Sequence, residues 1–163
     1  MSRILILIFA LAFAGCASPR YDYRYVPGKT ATLSDGYAVA PQDAPPKVLD
    51  AIAAGNSIAG LPYRYGGGHG ASPDTGYDCS GAASHILMAA GLLDSPMPSK
   101  AFRKYGKSGE GEWISIYARK GHVFMSVAGL RFDTGWTRGP KGPQWTTESR
   151  PANGSVLRHP AGL

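Results

Sequence analysis

Two hydrophobic periods run along this chain. From Ser80 to Leu93, the residues Ala82, Ala83, Ile86, Leu87, Ala90 and Leu93 recur every three or four positions, the stripe of an amphipathic helix, with Gly91 near its end. Val48, Leu49, Ile52, Ala53 and Ile58 keep a similar spacing behind Pro46, which suits a helix's first turn, and Gly60-Leu-Pro62 stops them. Beyond Trp113 the period shortens to two, predicting strands at Trp113 to Tyr117, Val123 to Val127 and Leu130 to Thr134. Between these lie a glycine-rich loop from Tyr65 to Tyr77 and a loop from Asp94 to Gly111, with a helical turn at Ser99 to Tyr105. Thr137 to Asn153 reads as irregular and Ser155 to Arg158 as a last short strand. The predicted class is α+β: a domain over 47–163, its clearest helix packed on a small antiparallel sheet.

Composition narrows this little. A chain of 163 residues buries one core, and 44% hydrophobic content excludes a disordered chain. The net charge of +6 favours anionic surroundings, but Arg103, Lys104, Lys107, Arg119 and Lys120 are scattered. Solubility accounts for the excess, and no nucleic-acid partner is expected.

The N-terminus says more. Arg3, an apolar run from Ile4 to Phe13, then Ala14-Gly15-Cys16 form an export signal too short to span a membrane. Phe13-Ala-Gly-Cys16 resembles a bacterial lipobox, which implies an acylated Cys16 at the mature N-terminus and anchorage in the cell envelope. Ala17 in place of aspartate implies outer-membrane sorting, facing the periplasm, if the source has two membranes. Residues 17–46 hold five prolines and no sustained apolar period, and read as a tether, with Tyr21 to Tyr25 resting on the domain surface.

Cysteine arithmetic then isolates Cys79. With Cys16 consumed by lipid it is the remaining thiol of an exported protein, without a disulfide partner. It follows Asp78, a good N-cap, at the start of the predicted helix. Unpaired amides and the helix dipole there favour a thiolate and can receive an oxyanion. The bland alternative is a small buried hydrophobe.

Of four histidines, His69 and His159 are expected to be solvated, and His85 lies about 240° around the helix from Cys79. His122 opens a strand and can face a helix start. If Ala128-Gly129 is a two-residue turn, Val123, Met125, Val127, Leu130 and Phe132 share one face. His122, Phe124, Ser126, Arg131 and Asp133 share the other. Asp133 is then a diagonal neighbour of His122 and can orient its ring, although it is equally a partner for Arg131. A one-residue slip would put Thr134 there instead. The glycine loop lacks phosphate-cradle spacing and the histidines lack zinc-ligand spacing, so neither cofactor nor metal is expected.

Leu61-Pro-Tyr-Arg-Tyr-Gly-Gly67, Tyr77-Asp-Cys-Ser-Gly81, Gly111-Glu-Trp-Ile-Ser-Ile-Tyr117 and Gly121-His-Val-Phe-Met125 resemble the NlpC/p60 cell-wall peptidases, from about Ala51 to Gly135. The resemblance implies a papain-like fold and a monomer that cleaves amide bonds in peptidoglycan stem peptides, typically between D-glutamate and diaminopimelate or lysine. It implies Cys79 as nucleophile, His122 as base and Tyr63 as an oxyanion aid. Asp133 falls where the family commonly has histidine, and Glu112 replaces the usual aspartate. The residues alone also fit a silent wall-binding scaffold, or an acyltransferase using the same cysteine.

Overall fold

The computed structural model describes residues 19–70, 74–135 and 141–163. The expected export signal and Cys16 lie outside the described residues. Among those described, no helix is long and apolar enough to cross a membrane.

The first helix, α1 (Pro46–Ile58), starts on proline and buries Val48, Ala51, Ile52, Ala54, Gly55 and Ile58. Gly55 admits the Trp145 indole: a Cβ there would lie 2.3 Å from its Cζ2. The second, α2 (Cys79–Ala89), begins where Asp78 accepts a hydrogen bond from the Gly81 amide. It ends four residues earlier than its apolar stripe suggests. Gly91 takes a φ of 61° there, and the Gly91 and Leu92 amides bond back to Met88 and Leu87 in a Schellman closure. A single turn, α3 (Ser99–Phe102), buries Phe102.

Six antiparallel strands make the sheet: β4 (Lys107–Ser108), β5 (Ile114–Arg119), β6 (His122–Val127), β7 (Leu130–Asp133), β8 (Gln144–Thr146) and β10 (Val156–His159). Their spatial order is β4-β10-β5-β6-β7-β8. The C-terminal β10 thus enters the sheet between β4 and β5, and β8 arises in the stretch expected to be irregular. Ala128 and Gly129, at φ 46° and 74°, form the two-residue turn, setting Val127 opposite Leu130 and Ser126 opposite Arg131. One face carries Ile114, Ile116, Val123, Met125, Leu130 and Phe132 against the helices. The fold is therefore mixed α+β, with helices packed on one side of an antiparallel sheet.

The other face is covered too, which corrects the reading of residues 17–46 as a tether. From residue 20 this segment is folded onto the domain. Its strand β1 (Arg20–Tyr21) pairs with β9 (Arg150–Pro151), and Tyr21 is 4% exposed. The Tyr21 hydroxyl donates to the Gly129 carbonyl (2.8 Å) and accepts from the Arg131 amide (3.0 Å). A hairpin of β2 (Thr32–Ser34) and β3 (Tyr37–Val39) follows, with both Ala38 backbone groups paired to the Asn56 amide side chain. Periodicity misses this because its strands are only two or three residues long, too short to show a repeat. The contacts that dock it on the domain come from distant chain.

Candidate active site

Cys79 is the first residue of α2, half-buried and unpaired. Its position is fixed by Asp78. Oδ1 of that carboxylate accepts from the Gly81 amide (2.7 Å) and the Ser80 hydroxyl (2.9 Å), and Oδ2 from the Gly66 amide (2.9 Å). Burial works against its charge, but these three donors and the nearby His69 hold the Asp78 carboxyl below its ordinary range. The glycine loop can press this close because it has no side chains: a Cβ on Gly81 would sit 1.9 Å from the Gly67 carbonyl oxygen. Among the described residues, the Cys79 and Ser80 amides bond to no backbone acceptor, leaving two donors beside the sulfur.

His122 is the first residue of β6, at the end of the sheet, and α2 packs on that strand. The Cys79 side chain is close enough to the His122 ring to raise its pKa. Nε2 lies 3.0 Å from Oδ1 of Asp133, so Nδ1 is the nitrogen left for the thiol. Burial pushes the ring's pKa down. The hydrogen bond to Asp133 and the nearby Cys79 outweigh it and leave the imidazole above its ordinary range.

Asp133 is fully buried and does more than either sequence alternative supposed. Its Oδ1 also accepts from the Thr134 amide (2.8 Å); its Oδ2 accepts from Nη1 of Arg131 (3.0 Å) and Nη1 of Arg150. It is at once the partner of His122 and of Arg131. Thr134, the alternative third residue, contributes its backbone; among the described residues, its buried hydroxyl has no hydrogen-bond partner.

An isolated bridge ties Tyr63 to Tyr77, two residues before the cysteine. Partial burial, then the charges of Cys79, Asp78 and Tyr65, push that phenol up. It remains a hydroxyl donor near the sulfur. Cys79 from α2, His122 from β6 and Asp133 from β7 thus act on one another, and Tyr63 feels the charge of the cysteine.

Three further histidines separate. His85 lies off this centre, against Ser57 (3.3 Å) and the Tyr77 ring. His69 and His159 were expected in solvent, and both are tied down. His69 contacts Asp78 (3.3 Å) and Ser80 (3.1 Å), while His159 meets the Gly109 carbonyl (3.1 Å). Backbone folding of the glycine loop turns His69 inward, which its polar neighbours in sequence do not reveal. Arg150 was missed altogether. Nothing local marks it, because its partner Asp133 lies 17 residues away.

No protein-family model matches the chain, and neither does any curated protein. The fold is similar to the crystal structure of an NlpC/P60 family protein from Bacillus cereus ATCC 10987, with a TM-score of 0.51 and 20% sequence identity. The match covers 72% of this chain and 41% of that one, so this chain spans less than half of its structural neighbour. At this identity the likeness is one of fold.

Proposed function

We propose that this chain is a cysteine peptidase of the bacterial cell wall that hydrolyses amide bonds in peptidoglycan stem peptides, with the D-glutamyl–diaminopimelate bond as its target. The single observation that carries the reading is the convergence of the Cys79 thiol at a helix start, the His122 ring and the buried Asp133 carboxylate. The fold likeness and the quoted motifs support the substrate class. In this reading the protein is exported, and Cys16 anchors it to a membrane by acylation.

His122 takes the thiol proton and the sulfur attacks the amide carbonyl carbon. The oxyanion that forms is met by the Cys79 or Ser80 amide and the Tyr63 hydroxyl. The intermediate collapses to a thioester as His122 returns its proton to the leaving amine. Water, deprotonated by His122, then cleaves the thioester and regenerates the thiol. Asp133 keeps the ring turned so that one nitrogen always faces the sulfur.

Purified wall sacculi treated with the protein should release stem-peptide fragments of defined mass, and Cys79→Ala should release none while keeping its fold. Equal, negligible release by both proteins would leave a binding scaffold as the surviving description. Fragments joined to an added amine, in preference to hydrolysed ones, would make it an acyltransferase.

A further inference from the structure

The proposed mechanism uses one carboxylate, yet the structure surrounds it with two arginines. Asp133 has about four acceptor positions, and all are taken: His122 and the Thr134 amide on Oδ1, Arg131 and Arg150 on Oδ2. The Arg131 side chain is 0% exposed and that of Arg150 is 8%. One arginine would suffice to balance one buried carboxylate. A second guanidinium adds desolvation cost, and it is present although Glu148 also acts on Arg131. Arg150 is also located by elements remote from the nucleophile. Its strand, β9, is held by β1, and the Ala152 amide donates to the Pro19 carbonyl (2.9 Å). Its guanidinium lies 4.6 Å from the centre of the Phe124 ring, and its Nη1 also meets the Gly135 carbonyl (3.2 Å).

We propose that Arg150 is a positioning residue which, with Arg131, pins Asp133 and offsets its charge, so that the carboxylate orients His122 without trapping a proton on it. The inference rests on the peptidase reading for its purpose, though not for its test. A base in a two-step acyl transfer must accept a proton from sulfur and then surrender it to the leaving amine. A bare buried carboxylate beside the ring would favour acceptance and oppose release. A cation on the far oxygen weakens that hold while leaving the hydrogen bond in place. The titratable and charged groups around the ring are Cys79 from α2, Asp133 and Arg131 from β7, Arg150 from β9 and Arg119, the cross-strand neighbour on β5. Of these, Arg150 is the cation delivered by the N-terminal strand pairing, so the segment beginning at Arg20 completes the site.

The test follows the His122 ring by NMR titration in full-length wild type, Arg150→Met, Arg150→Gln and Arg150→Lys, alongside stem-peptide release. Loss of a unit charge just behind Asp133, at an effective dielectric constant of about 20, should move the His122 midpoint up by about one pH unit in both neutral variants. The lysine variant should stay near wild type. Release should fall about tenfold in kcat with KM little changed, and lysine should restore most of it. Arg150→Gln serves if the methionine variant does not fold. A midpoint that is unmoved or falls in a folded neutral variant overturns the proposal, and so does a lysine variant that shifts as far as the neutral ones, because loosened packing also raises the midpoint by exposing the ring and a restored charge would not reverse it. If wild type releases nothing, the peptidase reading fails, and the titration still decides the role of Arg150.

Discussion

The two faces of the six-stranded sheet are built from the same strands, yet they solve different problems. Toward the helices, β5, β6 and β7 present Ile114, Ile116, Val123, Met125, Leu130 and Phe132, all at most 2% exposed, in a purely apolar layer. On the opposite face the alternate residues are Ser115, Tyr117, Phe124, Ser126, Arg131 and Asp133, equally removed from water but polar or aromatic. Tyr117 stacks on Phe124 with ring centres 4.5 Å apart, and Tyr21 meets Tyr117 edge-on. The apolar face gains by excluding water. The polar face pays the cost of desolvation for a charge cluster that touches His122, and tolerates it because each charge has a partner. Stability and chemistry are thus separated by a single step along each strand.

Four substitutions break or sharpen this contrast. Phe132→Ala on the apolar face should have the largest effect on stability, about 3–5 kcal/mol by urea denaturation, since it opens a cavity beside Trp145. The His122 titration of the fraction that remains folded should not change.

Asp133→Asn on the other face should cost about 3 kcal/mol, because it removes the buried negative charge that both guanidinium groups share. It should also lower the His122 midpoint. In wild type the ring sits above its ordinary range, so folded protein binds the proton more tightly than unfolded chain. The resulting stabilisation is complete below the ordinary imidazole range and is lost as pH rises through the folded midpoint. Asp133→Asn should abolish that pH dependence. Adding Arg150→Gln should recover part of the lost stability without restoring the midpoint, a non-additivity expected of one charge network.

Tyr21→Phe removes a hydroxyl that serves both Gly129 and Arg131, and should cost about 1–2 kcal/mol. It would show that the N-terminal strand belongs to the folded unit. If thermal unfolding were unaffected, the cover on the polar face would be dispensable. Gly129→Ala, at φ 74° with Thr30 3.0 Å from the new Cβ, should cost about 1 kcal/mol and leave the register intact by NMR.

The site was legible where chemistry is local. Asp78-Cys79 announces a capped helix start within two residues, and the Ala128-Gly129 turn alone places Asp133 diagonally from His122. The register had to be assumed from the turn, and the positive φ of both residues makes that register the one adopted. Tyr63 entered by resemblance, and its bridge to Tyr77 appears only in the structure. Arg150, 17 residues from Asp133 in a stretch without periodicity, gave no local sign of its partner.

By itself the sequence determined the helix and strand periods, the end of the chain's one clear hairpin, and a cysteine, histidine and carboxylate in an order that sensible chemistry can use. These follow from neighbours within a few residues, where side-chain spacing and turn residues carry the information. Only the tertiary structure decided that residues 20–46 fold back as a cover, that β10 inserts beside β5, and that Asp133 is shared by a ring and two guanidinium groups. Those outcomes depend on which distant segments exclude water together, and a burial partner leaves no period in the sequence that finds it.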